Sequence, residues 1–297
     1  MRVDASFLSW WILFSFTCVP LAAAANPDDF IDFTLRTETN ALLLPGRMYV
    51  PPEASGASAP RPLIVFLHGA GESGTNNLAQ INVNIDNLLA EAKERGAFLY
   101  APQTNASWSP TTITNHVATM LDRAVAEYLV DDSRIYATGL SMGGGGVWNM
   151  LNRYPERFAA GVPIAAVSPA ADFVPARLVD ESIWAFHARN DTVVSMTATR
   201  NVINSFFNQA GDPLPAYPTS RDTVDPYHVD SETRDIHYTE PRTGGHGIWF
   251  GVYAYEPMYE WMFARGTVPE PNSIMLLAIG GTLMLRRRGR PAPAARH

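Results

Sequence analysis

The sequence predicts an α/β fold: a mostly parallel central sheet with helices on both faces. Three observations carry that prediction. Short runs rich in β-branched and aromatic residues alternate with stretches of helical periodicity, the order that parallel strands joined by crossover helices require. Pro62 to Leu67 is an unbroken apolar run, as a strand buried on both faces must be. The segment IYATGLSMGGGGVWN, residues 135–149, passes from a strand-forming run through a tight turn into a glycine-rich helical stretch.

Taken in order, Leu42 to Val50 and Pro62 to Leu67 read as strands joined by PPEASGASAPR, whose prolines and serines suit a hairpin loop. Helical spacing runs from Ile85 to Arg95, and Ala97 to Tyr100 reads as a short buried strand ending at Pro102. From Asn115 to Leu129, apolar residues at 117, 120, 121, 125 and 128 keep the three-four period of an amphipathic helix. The strand Arg134 to Thr138 follows. Beyond the glycines, Val147, Met150, Leu151 and Tyr154 mark one face of a helix that stops before Pro155. The alternation continues with strands at Ala160–Ala165 and Ile183–Phe186, a helix from Met196 to Asn208, a strand around Ile236–Thr239 and a last helix from Ala254 to Arg265. The polar, proline-containing stretch Pro213 to Thr233 is expected to form a surface lid or rim, a common use of long loops.

The chain has 297 residues, 46% of them apolar, enough for one sizeable core. Its net charge of −7 argues against nucleic acid as a partner. Met1-Arg2, an apolar run from Phe7 to Leu21 and the small residues Ala22 to Ala25 have the order of a secretory signal peptide, cleaved near Ala25. A buried N-terminal helix is the alternative. The sole cysteine, Cys18, lies in this leader, so the mature chain would hold no disulfide, no cysteine metal site and no thiol nucleophile.

At the other end, in VPEPNSIMLLAIGGTLMLRRRGR, the apolar run Ile274 to Leu285 precedes Arg286, Arg287, Arg288 and Arg290. At roughly 1.5 Å per residue this run falls short of a bilayer core of about 30 Å unless its flanks are drawn in. The arginines would be held on the cytoplasmic side. Pro-Glu-Pro, an apolar segment and an arginine cluster together resemble the PEP-CTERM sorting signal of exopolysaccharide-producing Gram-negative bacteria. The resemblance implies export to the cell envelope or beyond, transient anchoring in the inner membrane, and removal of the tail by an exosortase-type partner. An ordinary tail anchor is the alternative. The expected division is therefore a signal peptide (1–25), a central α/β domain (26–267) and a sorting signal (268–297). Between positions 26 and 267 there are 16 basic and 27 acidic residues, leaving the domain at −11.

Gly139-Leu140-Ser141-Met142-Gly143 matches G-x-S-x-G directly after a predicted strand and before a predicted helix. That context exposes the Ser141 hydroxyl on a strained turn and points a helix dipole at developing negative charge. A nucleophilic serine needs a base and an orienting acid, which follow it in the order acid, then histidine. Asp191 lies just past a strand in WAFHARNDTVV, and His246 stands in the glycine-flanked loop TGGHGIW. Asp172, one strand earlier, is a rival acid. The backbone amides of Met142 and of Ala70, in the loop FLHGAGESG, are the candidate oxyanion donors. His68 and Glu72 are read as bracing that loop, with substrate contact the alternative for Glu72. His187 is read as a packed core histidine, and His228 and His237 as surface or alternating strand positions. No pair of histidines has helix or loop ligand spacing, so no metal site is expected from them. Trp108 and Trp249 are candidates for either core or pocket lining.

LIVFLHGAGESGTNN, APQ at 101–103, RIYATGLSMGG, YPERFAAGVPI, WAFHARNDTVV and GGHGIW, taken together, resemble the α/β-hydrolase fold. Within it they resemble the phospholipase/carboxylesterase group, also called predicted peptidases, related to feruloyl esterases and polyhydroxybutyrate depolymerases. The likeness spans Leu42 to Arg265. Ala188 stands where such sequences often carry glycine, and the absence of cysteines departs from disulfide-stapled depolymerases, whose polymer substrate is therefore not carried over. The resemblance implies a serine hydrolase acting on a carboxylic ester through an acyl-enzyme, without metal or organic cofactor. A serine peptidase and a catalytically silent binding protein are the alternatives.

Overall fold

The computed structural model describes residues 25–54, 59–219 and 222–267. The expected signal peptide (1–25), apart from Ala25, and the expected sorting signal (268–297) lie outside the described residues. Among the described residues, no helix is long and apolar enough to cross a membrane.

Eleven strands are described, the first six being β1 (Phe30–Asp32), β2 (Leu35–Arg36), β3 (Leu42–Leu44), β4 (Gly46–Tyr49), β5 (Arg61–Leu67) and β6 (Phe98–Pro102). The others are β7 (Val130–Leu140), β8 (Ala160–Ile164), β9 (Ile183–Phe186), β10 (Tyr227–Asp230) and β11 (Ile236–Glu240). Nine of them form one sheet in the order β1-β4-β6-β5-β7-β8-β9-β11-β10, and β2 pairs with β3 separately. The six central strands from β6 to β11 are mutually parallel, while β1, β4 and β10 are antiparallel to their neighbours.

The helices are α1 (Ala79–Asn82), α2 (Asp86–Glu94), α3 (Thr111–Glu127), α4 (Met142–Arg153), α5 (Thr197–Ala210), α6 (Trp249–Val252) and α7 (Glu256–Phe263). They divide between the two faces because alternate residues of each strand point opposite ways. Leu63, Val65 and Leu67 pack with Val117, Met120 and Leu121 of α3, Val147 and Leu151 of α4 and Ile203 of α5. Ile64 and Phe66 face the other layer, with Leu88 and Leu89 of α2 and Met258 and Met262 of α7. Each such fully buried side chain contributes about 1.5–3 kcal/mol relative to exposure.

Several expected elements take a different form. The stretch expected as one strand from Leu42 to Val50 is broken at Pro45, which has no N–H to give to a ladder. It does not form a hairpin with β5 either: β6 lies between β4 and β5. The last helix begins only at Glu256, with Pro257 in its first turn, where a missing N–H does no harm. The 213–233 stretch is not a free lid. Its residues Tyr227–Asp230 form the edge strand β10, and Arg189 and Arg200 reach the carbonyls of Asp222, Val224 and Pro218.

Strand order reverses at β5: the chain runs outward to β6 and then returns to β7 on the other side. A crevice opens at the carboxyl ends of such strands, where doubly wound sheets place ligands.

Candidate active site

Ser141 follows the last residue of β7 and caps α4 with φ 54° and ψ −116°, a region of backbone space that L-residues rarely occupy. The surrounding packing holds it there: its amide donates to Ile164 O at 2.9 Å, and its carbonyl accepts from Gly145 and Val167. The glycines of α4 let the helix start hard against the sheet. A Cβ on Gly143 would stand 1.8 Å from the carbonyl oxygen of Leu67, a contact no rotamer relieves.

The other two candidates arrive from loops at the same sheet edge. Asp191 follows β9, and its Oδ1 accepts the amides of Val193 (2.8 Å) and Val194 (2.9 Å). His246 sits in a short turn after β11, approached through Gly244 at φ 118° and Gly245 at φ 58°. The Gly245 amide donates to Asn190 Oδ1 at 2.8 Å, tying the two loops together. His246 Nδ1 lies 2.7 Å from Asp191 Oδ2, and Nε2 lies 2.9 Å from Ser141 Oγ. A carboxylate only accepts, so Nδ1 carries the proton and Nε2 is left to accept from the serine hydroxyl.

Asp191 is buried, and burial alone would raise its pKa. The hydrogen bonds from His246 and from the Val194 and Val193 amides outweigh that and hold it below the usual carboxylate value. Asp172 is elsewhere, paired with Arg153 at the surface. His187 is fully buried, as expected of a core residue, but it also borders the acid. Its Nε2 donates to Val194 O at 3.0 Å and stands 3.2 Å from Asp191 Oδ2, while Nδ1 meets Thr199 Oγ1 at 2.8 Å. Burial lowers its pKa, which keeps it a neutral donor.

Ala70 opens a short 3₁₀ turn after β5, and Met142 is the first residue of α4. Amides at a helix start have no intrahelical partner. Behind Ala70, His68 is buried and neutral, its pKa lowered by burial. Its Nε2 accepts from the Thr104 amide at 3.1 Å, so Nδ1 donates to Gly69 O at 2.6 Å. Trp108, also buried, donates to His68 O at 3.0 Å and is core, not pocket. Glu72 is buried and accepts from Asn84 at 2.9 Å, and Asn84 in turn accepts from Trp249 Nε1 at 3.0 Å. Trp249 stands edge-on to the His246 ring with centroids 5.2 Å apart. Glu72, Asn84, Trp249 and His246 thus connect the loop after β5 to the histidine loop. Asn84 gave no sign of this in the sequence, because its partners are distant along the chain.

His228 and His237 lie on adjacent strands, as the expected alternating positions. His228 and His237, which have no ligand spacing along the chain, are brought together with Asp230 across the β10–β11 pair. Linear spacing cannot register a cross-strand neighbour.

A nine-stranded, mostly parallel sheet with serine, histidine and aspartate gathered at its carboxyl edge defines an α/β hydrolase. The sequence pattern of the alpha/beta hydrolase fold family matches residues 62–210, half of the chain, and the protein belongs to that family. Esterases are among the proteins it resembles. It is 27% identical over 169 residues to acetylxylan esterase A of Aspergillus ficuum, covering 52% of this chain and 52% of that protein. Poly(3-hydroxyalkanoate) depolymerase C of Paucimonas lemoignei is 26% identical over 215 residues, 57% of this chain and 50% of that one. The chain spans about half the length of these curated relatives. Among solved structures, a thermostable esterase superposes with a TM-score of 0.67 at 30% identity, covering 80% of this chain and 63% of that one. Acetyl xylan esterase from Aspergillus awamori, at 15% identity and a TM-score of 0.58, shares the fold over 74% of this chain and 93% of its own.

Proposed function

We propose that the protein is an exported serine hydrolase that cleaves carboxylic esters through an acyl-enzyme, with Ser141, His246 and Asp191 as its triad. The continuous hydrogen-bonded line from Ser141 Oγ through His246 to Asp191 carries this reading. Ser141 Oγ attacks the ester carbonyl carbon as its proton passes to His246 Nε2, and Asp191 stabilises the imidazolium that forms. The amides of Ala70 and Met142 receive the oxyanion, helped by the positive end of the α4 dipole. Collapse expels the alcohol, which takes the proton back from His246. Water then repeats the sequence on the acyl-serine and frees the acid.

The acetylxylan esterases among the relatives, together with the sorting signal, favour short acyl esters on extracellular polysaccharide as the substrate class. Export and transient membrane anchoring rest on the leader (1–25) and the tail (268–297), and an exosortase is the partner that would remove the tail.

The test is turnover of short- and long-chain p-nitrophenyl esters, beside short peptide substrates, by wild type, Ser141→Ala and His246→Ala. Both substitutions are expected to lower kcat by about a thousandfold or more, since removing either group of a triad removes the function of the whole. Peptide cleavage without ester cleavage would replace the esterase with a peptidase. An inert wild type whose serine also resists a fluorophosphonate would leave a binding protein on this fold.

A further inference from the structure

We propose that His228, Asp230 and His237 form a binding site for a late first-row divalent cation, zinc in particular, that clasps the edge strand β10 to β11. Residues two apart on a strand share a face, as do directly paired residues on neighbouring strands. His228 and Asp230 are two apart on β10, and the register sets Asp230 opposite His237 and His228 opposite Thr239. Three ligating side chains from two strands therefore stand on one face of the sheet.

Their atoms converge. His228 Nε2 is 2.9 Å and His237 Nδ1 is 2.5 Å from the same oxygen, Asp230 Oδ1. One ligand atom from each residue lies within 4.8 Å of the others. Bonds of about 2.0–2.1 Å to a tetrahedral zinc ion set ligand atoms roughly 3.3 Å apart, within reach of a small side-chain rotation.

The surroundings orient the rings as the outer shell of a metal site does. His237 Nε2 donates to Asp235 Oδ1 at 2.7 Å, and Nδ1, whose proton points at Asp230 Oδ1, would exchange that proton for the metal. Asp235 is itself held by Arg265 through two bonds of 2.8 Å. His228 Nδ1 meets Thr239 Oγ1 at 2.7 Å. That hydroxyl also accepts from Trp184 Nε1, and its two lone pairs serve both donors. His228 Nε2, whose proton points at Asp230 Oδ1, would exchange it for the metal in the same way. The two imidazoles lie nearly parallel, 10° apart, and Trp184 packs against both.

Two imidazoles and one carboxylate suit zinc and its neighbours; magnesium and calcium prefer all-oxygen sets. The Asp230 side chain is 50% exposed, so water can complete the coordination. All three ligands come from β10 and the start of β11, whereas His246 follows the far end of β11. The cation's effect is therefore on stability and not on turnover.

The experiment uses the full chain, stripped with a chelator and dialysed, and titrated calorimetrically with ZnCl2. One zinc ion per chain is expected, and at about a hundredfold its Kd it should raise Tm by about 5–10 °C. Equal concentrations of Mg2+ or Ca2+ should leave Tm unchanged. His228→Gln, on the edge strand, and Asp230→Asn should abolish both the uptake and the Tm gain while keeping the wild-type rate of ester turnover. The absence of zinc uptake by the wild type would reduce the cluster to an ion-pair ladder and overturn the proposal. So would uptake that persists undiminished in both variants.

Discussion

Asp191 divides its two oxygens between tasks. Oδ1 is taken by the Val193 and Val194 amides, and Oδ2 accepts from His246 with His187 Nε2 beside it. Consequently Asp191→Asn should keep its oxygen on the two amides and turn its NH2 toward His246. The imidazole must then place its own proton on Nε2, where it can no longer accept from Ser141. A kcat loss of about ten-thousandfold with KM little changed is expected for the wrong tautomer. Steady-state kinetics on a short ester measures it; a variant within tenfold of wild type would remove Asp191 from its proposed role.

At the scale of elements, the acid loop and the insertion are held by one buried carboxylate at the end of β11. Glu240 is fully buried and accepts from Arg189 at 2.9 Å, from Arg200 at 2.6 and 2.7 Å, and from the Tyr238 hydroxyl at 2.7 Å. Those bonds, with Arg200 leading, outweigh burial and hold its pKa below the usual value. Glu240→Ala would leave two guanidinium groups facing each other without their anion. A loss of about 3–5 kcal/mol is expected, read from the denaturant midpoint. A loss under about 1 kcal/mol would mean that the insertion is anchored elsewhere. This network also marks the limit of what the sequence made legible. The order Ser141, Asp191, His246 could be read because each follows a strand in a fixed sequence of elements, and the central strands because their apolar runs are continuous. Glu240 could not: a charged residue ending a strand is ordinarily solvated, and its two arginine partners lie 40 and 51 residues away. The hairpin expected between residues 50 and 62 failed for a related reason. Periodicity identifies strands but not their neighbours, and β6, arriving later in the chain, takes the place between them. The cross-strand cluster of His228, Asp230 and His237 was hidden in the same way, by register.

Across the whole molecule, the sheet has two functionally different ends. The carboxyl ends of β5, β7, β9 and β11 carry the candidate site, while the opposite ends of β7, β8 and β9 border a groove lined by Asp131, Glu156, Arg157, Asp180, Glu181 and Ser182. Burial, reinforced by Glu156 and Asp180, pushes the Glu181 carboxyl up to about 8. The unfolded chain would release that proton near pH 4.3. A carboxyl whose folded pKa lies above its unfolded one binds more protons when folded, so it destabilises the fold progressively between those two values. At pH 4 the folded and unfolded chains both hold the proton and nothing is lost; by pH 9 the folded chain carries the charge against burial and its acidic neighbours. Glu181→Gln removes the titration without changing shape. Its Tm should match wild type at pH 4 to 4.5 and exceed it by about 2–4 °C at pH 9, the shift that about 1 kcal/mol produces in a domain of this size. Ester turnover should be unchanged, since the groove is at the far end of the strands from Ser141. Parallel melting curves for both proteins across that range decide it: a constant offset at every pH would assign the effect to packing, and no offset at pH 9 would place the carboxylate in a solvated environment.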